Sequence, residues 1–248
     1  MSDRSPILRW HAAPSGDSCL VLEFASTLSV DANRQAATAA ALLNRAWREA
    51  VLQGISDIVP GMVTVGVHYR PELIHRQPGD ASPYAALERQ VSALLDGQVV
   101  GGSGEPRRIE IPVCYGGPYG PDLEEVAQAC GLTASALVER HSGEWLDVLM
   151  VGFAPGHPYI GILDPQLSPP RRSTPRTLVK RGSVGLANRQ TVIYPVDSPG
   201  GWSLIGRTPW RMFDATSEPP CRLQSGDKVR FVAIDEATFD AIAAGERP

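Results

Sequence analysis

Between Gly152 and Trp210 the chain carries eight glycines and nine prolines. No long helix persists through that spacing, because each proline removes a backbone donor and clashes with the turn before it. The runs left between these residues are short and β-prone, as from Arg189 to Tyr194. This half of the chain must therefore be mainly β, built from short strands joined at tight corners. Upstream, Gln98 to Arg108 contains Gly101, Gly102, Gly104 and Pro106 and follows neither helical nor strand period, which marks a linker. The 248 residues suffice for two units with a core each. The expected division is a small domain over 1–97, a linker over 98–108 and a mainly β domain over 109–248.

The first unit reads as β-α-β-β-α, an α+β domain. Cys19 to Phe24 is a strand after the Gly16-Asp17 turn. A helix follows, with Asp31 as its expected cap and Ala36, Ala39, Ala40, Leu43, Ala46, Trp47, Ala50 and Val51 on one face. Ile55–Val59 and Val63–Tyr69 are strands about Pro60-Gly61, the second turning Val63, Val65, Val67 and Tyr69 to one side. Ser82 and Pro83 open a second helix ending at Gly97. In the second unit Ile109–Tyr115 is a strand, and Pro121–Cys130 and Thr133–His141 are short helices. A strand over Lys228–Ile234 and a helix over Glu236–Ala244 close the chain.

A formal net charge of -4 gives no electrostatic reason to expect nucleic acid or an anionic membrane as partner. Met1 to Trp10 lacks the apolar core of a secretory signal, and no stretch approaches the ~20 apolar residues of a membrane span, so a cytoplasmic location is expected. Cys19, Cys114, Cys130 and Cys221 are scattered without a C-x-x-C pair and read as small buried hydrophobes. No metal-ligand spacing is present, and His68 and His75 read as structural or surface residues. There is no Walker loop, no nucleophile elbow and no H-E-x-x-H.

Charge is nevertheless concentrated locally. Arg171, Arg172, Arg176, Lys180, Arg181 and Arg189 fall within nineteen residues that contain no acid. Guanidinium forks match carboxylate or phosphate oxygens, so this loop is either an anion site or a solvated, partner-facing loop. Arg176, with no carboxylate near it in sequence, is expected to contact an anion, and Arg172 is assigned to solvent. Gly152-Phe153-Ala154-Pro155-Gly156-His157-Pro158-Tyr159 and Ser198-Pro199-Gly200-Gly201-Trp202 alternate rigid and permissive residues with aromatics. Such strings let backbone N–H groups approach a ligand at low ordering cost, or build barrel corners.

Seven ordered blocks carry a resemblance: Pro112–Gly117, Gly120-Pro121-Asp122-Leu123, Gly152–Tyr159, Pro170-Arg171 with Pro175-Arg176, Gly182–Gly185, Gln190–Pro195, and Ser198–Thr208. Together they resemble the family that contains the B-type subunit of 5-oxoprolinase, the sporulation kinase A inhibitor and allophanate hydrolase subunit 1. The resemblance implies that the second unit is a cyclophilin-like β-barrel. It implies a component of an ATP-dependent (with Mg2+) hydrolase that opens 5-oxoproline to L-glutamate. A homologous C-type subunit and a third 5-oxoprolinase component would be its partners. The same family holds an inhibitor of a sensor histidine kinase and halves of urea/allophanate-type carboxyltransferases, the alternative functions.

Carried onto this chain, the resemblance implies anion contacts from Arg171, Arg176 and Arg207, and substrate orientation by backbone at Gly156, Gly200 and Gly201. Phe153, Pro155, Tyr159, Gln190, Thr191, Tyr194, Ser198 and Trp202 complete the expected binding set. His141 and His157 are the candidate proton-transfer groups, since imidazole titrates near neutrality. Phe153, Tyr159 and Trp202 are further expected to form an exposed apolar patch for the C-type partner. The chain departs from the family pattern at His157, where Phe is expected, at Lys180-Arg181, where small residues are, and at Asn188, where Gly is.

Overall fold

The computed structural model describes residues 7–100 and 106–245, and the chain divides into two compact units, Met1–Glu105 and Pro106–Pro248. The linker residues 101–105 lie outside the described part.

In the first unit, strands β1 (His11–Pro14), β2 (Cys19–Glu23), β3 (Ile55–Pro60) and β4 (Thr64–Tyr69) form an antiparallel sheet in the order β1-β2-β4-β3. Helices α1 (Val30–Arg48) and α2 (Pro83–Leu95) pack on it. The alternation in β4 works as the sequence implies, with Val65, Val67 and Tyr69 buried. Two details of α1 differ. Its cap is Ser29, whose Oγ accepts from the Ala32 amide at 3.1 Å, so Asp31 sits in the first turn instead. The helix also stops at Arg48, and Ala50 and Val51 leave the apolar face; Ala50 is left-handed at φ 57° and Val51 is 60% exposed. Strand β1 is too short and polar-flanked to stand out by period, and the sequence does not announce it.

The second unit is a closed barrel of seven strands in the order β10-β7-β6-β13-β5-β12-β9. These are β5 (Arg108–Tyr115), β6 (Leu146–Val151), β7 (Pro158–Gly161), β9 (Ser183–Ala187), β10 (Gln190–Ile193), β12 (Ser203–Arg207) and β13 (Lys228–Ile234). Only β5 and β13 run parallel among the barrel pairs. Helices α3 (Leu123–Ala129) and α4 (Ala134–Ser142) enter between β5 and β6, α4 capped by Thr133 as the sequence implies. Helix α5 (Glu236–Gly245) closes the unit. Outside the barrel lies a two-stranded ribbon of β8 (Arg176–Val179) and β11 (Ser198–Gly200).

Because strand side chains alternate, the barrel wall has two apolar faces. Ile160, Val184, Leu186, Ile193 and Ile205 belong to the inner core. Their sequence neighbours Tyr159, Ala187, Val192, Tyr194 and Leu204 belong to a separate outer cluster with Val179 and Trp202. This division decides where each candidate residue can act. Among the described residues, no helix is long and apolar enough to cross a membrane.

The β9–β10 hairpin shows why Asn188 is tolerated. Ala187 pairs with Gln190, leaving Asn188 (φ 50°) and Arg189 (φ 62°) as a two-residue turn with both residues left-handed. Asn is the side chain after Gly that best accepts this region. Asn188→Gly should therefore leave the urea midpoint almost unchanged, whereas Asn188→Val should cost about 1–2 kcal/mol. Equal midpoints for the two variants would remove the turn argument.

Candidate functional site: an aromatic cluster and an arginine loop on the outer barrel face

His141 and His157 lie on opposite faces of the barrel wall, so the fold does not bring the two candidate proton-transfer groups together. His141, in the last turn of α4, is fully buried in the interior and stacks on Phe231 with ring centroids 4.4 Å apart. Its Nδ1 lies 2.7 Å from the Tyr115 hydroxyl and its Nε2 3.0 Å from Thr191 Oγ1. Thr191 donates its own proton to the Gly185 carbonyl at 2.9 Å. It must therefore accept from Nε2–H, which leaves Nδ1 to accept from Tyr115. Both ring nitrogens are thus occupied by protein groups, and burial pushes the imidazole pKa down to about 3. Thr191, expected in the binding set, belongs to this interior chain and does not face the outer cluster.

His157 has the opposite character. The residue is 2% exposed, yet neither ring nitrogen has a hydrogen-bond partner among the described residues. It is enclosed by aromatic rings: Phe153 at 5.3 Å, Tyr159 at 5.1 Å and Tyr194 at 5.3 Å between centroids. Burial, and secondarily the Arg171 guanidinium, push its pKa down to about 4. Above it the turn from Gly152 to His157 closes on two backbone bonds, Gly152 N to His157 O and His157 N to Ala154 O, each 3.0 Å. Gly156 is needed there: its φ is 76°, and a Cβ would meet the Met212 carbonyl at 2.8 Å. The turn holds Phe153 at φ 72°, a region a bulky side chain rarely adopts, and leaves it 72% exposed.

Arg171 completes this cluster. Its guanidinium carbon sits 5.0 Å from the centre of the Trp202 ring, and no carboxylate pairs with it among the described residues. Trp202 itself is 5% exposed and packs 6.3 Å from Tyr159, against Gly185, where a Cβ would lie 2.7 Å from the tryptophan Cβ. The expected exposed patch is therefore corrected: Phe153 is exposed, Tyr159 is half-buried and Trp202 is buried beneath Arg171. Gly200, in the ribbon, admits the Tyr194 hydroxyl into the space a side chain would fill. Ser198 pairs with Val179 in the same ribbon, and the Gly201 carbonyl accepts from the Arg172 amide at 2.8 Å.

Arg176 and Arg172 depart from the sequence reading. Arg176 Nη2 donates to Asp122 Oδ1 at 2.6 Å, so a carboxylate 54 residues upstream neutralises the charge expected to be unpaired. Arg172, assigned to solvent, points to the same oxygen at 3.4 Å and lies 3.7 Å from Glu125. Asp122 Oδ2 accepts from the Leu204 amide at 2.6 Å. Buried nitrogens remain without partners on both arginines, Arg172 Nε and Arg176 Nη1. Asp122 belongs to one of the seven sequence blocks but carries no local sign of a site residue; its role is set by a contact between distant segments. Arg207 stands apart, its Nε on the Arg181 carbonyl at 2.9 Å and its guanidinium 5.9 Å from Phe239, lining a cleft with Arg181, Arg211 and Trp210. Pro155 lies in the Phe153 turn. Gln190 is half-buried at the start of β10. Among the described residues, no group of three or more His, Cys, Asp or Glu side chains is placed to hold a metal ion.

The chain is 36% identical over 236 residues to the B-type subunit of 5-oxoprolinase from Bacillus subtilis (strain 168), covering 94% of this chain and 97% of that protein. It is 39% identical over 225 residues to the corresponding 5-oxoprolinase protein of Escherichia coli O157:H7, covering 89% and 94%. A solved structure, TTHA0988, superposes with a TM-score of 0.73 at 33% identity over 88% of this chain, which spans 40% of that longer chain. The family described as carboxyltransferase domain, subdomain C and D, matches residues 10–223, and the chain belongs to that family.

Proposed function

We propose that this protein is the B-type subunit of a heteromeric, cytoplasmic 5-oxoprolinase that opens 5-oxo-L-proline to L-glutamate with ATP hydrolysis, and that its barrel is of the cyclophilin type. The observation that carries the reading is the pairing of a buried imidazole lacking hydrogen-bond partners with an arginine lacking a counter-ion among the described residues, both in the outer cluster. 5-Oxoproline offers one lactam and one carboxylate, and the carboxylate is the group these two side chains would satisfy together. Arg171, stacked on Trp202, holds the carboxylate. His157 bonds the second oxygen of that carboxylate, and Phe153 covers the lactam. ATP, with Mg2+, would be bound at an interface or by a partner and would phosphorylate the lactam oxygen. Water then adds to the activated carbon, the C–N bond breaks to give the free amine and an acyl phosphate, and a second water releases phosphate and leaves L-glutamate. A homologous C-type subunit covers the open side near Phe153, and a third component completes the enzyme.

The test is glutamate release from 5-oxo-L-proline and ATP by the chain co-expressed with its C-type homologue and third component. The complex should be active and the isolated chain inactive. Arg171→Leu should lower kcat/KM by roughly 10–100-fold with an unchanged melting temperature. An inert complex, or glutamate from the isolated chain above a mock purification, would overturn the reading.

A further inference from the structure

The imidazole of His157 is a buried polar group with two hydrogen-bonding atoms and, among the described residues, no partner for either. Such a group is costly unless something enters to satisfy it. Its surroundings limit what that something is. On β7 the nearest ring is Tyr159, after β10 it is Tyr194, and the loop before β8 contributes Arg171; the Gly152–His157 turn contributes only Phe153. The neighbouring formal charge is therefore the cation Arg171, and no carboxylate acts on His157 among the described residues. A cationic entrant is excluded by Arg171, and a neutral one leaves that guanidinium unpaired. A small anion satisfies both.

We propose that a carboxylate ligand binding beside Arg171 takes up one proton from solvent onto His157, so that the site binds its anion more tightly as pH falls. The inference rests on the anion-site reading above and adds its regulation. A neutral imidazole has one N–H and one lone pair, and the lone pair faces a carboxylate, which only accepts, with no bond to make. Protonation gives an N–H on each nitrogen. The proton comes from bulk water and stays on the ring; no covalent bond in the ligand changes. Without the anion, burial and Arg171 both favour the neutral ring, which agrees with its depressed pKa of about 4. An anion placed between the two groups reverses the sign of the local field, and by linkage what the anion does to proton affinity the proton does to anion affinity. Phe153, exposed and held in a left-handed conformation over the ring, is the side chain that must move to admit the ligand.

The probe is 5-oxo-L-proline, whose carboxylate is ionised over the whole range tested, titrated calorimetrically into the co-expressed complex without ATP. Affinity should rise by about fivefold between pH 8 and pH 6, toward the tenfold per pH unit that one coupled proton permits. At pH 6.5 the apparent enthalpy should vary between buffers of different ionisation enthalpy with a slope that reports net proton uptake. His157→Phe, which keeps the aromatic packing, should bind with neither dependence, and a thermal melt verifies that it is folded. If wild type binds with the same affinity at pH 8 and pH 6 and takes up no proton, the proton-linkage inference is wrong while the anion site stands. If wild type binds at no pH, both this inference and the reading beneath it fall.

Discussion

Asp122→Ala is expected to destabilise the second unit by about 3–5 kcal/mol, because it removes one acceptor from three donors at once. The side chain is 5% exposed, and its two oxygens serve Arg176 Nη2, Arg172 Nη1 and the Leu204 amide. The two guanidiniums, only 26% and 32% exposed, would be left facing one another with Glu125, itself 77% exposed, as the nearest counter-charge. The buried Leu204 amide would lose its side-chain acceptor. Asp122→Asn retains an oxygen for that amide and should cost less, which separates the charge from the hydrogen bond. For a unit of this size the alanine variant should melt roughly 10 °C lower. The loss should extend to the site, since Asp122 anchors to β12 the loop that carries Arg171. A melting temperature within 2 °C of wild type, on the order of 1 kcal/mol by the same conversion, would show that solvent replaces the carboxylate without penalty.

The contrast between Asp122 and the helix caps shows which parts of this fold are legible in the sequence. Thr133 and Ser82 cap helices three residues away, and the closing strand spans Lys228–Ile234 as its pattern implies. These are interactions between residues close in sequence, so a linear reading sees both partners. The abundance of Gly and Pro from 152 to 210 likewise forces short strands, and the barrel has them. What the sequence does not show is which face of the wall a strand residue occupies. Thr191 and Val192 are adjacent, yet one bonds His141 in the interior and the other packs beneath the ribbon. Register decides this, and register follows from strand pairings across the barrel. The Arg176–Asp122 pair is hidden for the same reason: an acid-free window of nineteen residues says nothing about a carboxylate 54 residues away. Charge density locates the loop but does not say which arginine is already neutralised; among the described residues Arg176 is paired with Asp122 while Arg171, over Trp202, has no counter-ion.

Acidification from pH 6.5 to pH 4.5 should destabilise the second unit by about 2.5 kcal/mol for each of His141 and His157. Burial depresses both folded pKa values, to about 3 and about 4, below the ordinary 6.5 of an unfolded histidine. In this window the unfolded chain binds protons that the folded one refuses. The stability is therefore fully present above pH 6.5 and is lost as pH falls toward the folded values, the reverse of a histidine held by a carboxylate. Carboxylates lowered by their partners, such as Asp197, bonded by the Arg181 amide and Lys180, lose their contribution below their unfolded value near 3.8. The upper window consequently isolates the two imidazoles. Urea denaturation at half-unit pH intervals would read the slope. His141→Phe should be less stable at pH 7.5, because Tyr115 and Thr191 each lose a partner, and its slope between pH 6.5 and 4.5 should fall to about half. His157→Phe should halve the slope without that penalty, since no hydrogen bond is lost with a ring that makes none among the described residues. If both variants keep the wild-type slope, the two histidines accept protons in the folded state, and the closed interior chain from Tyr115 through His141 and Thr191 to Gly185 is not closed to water.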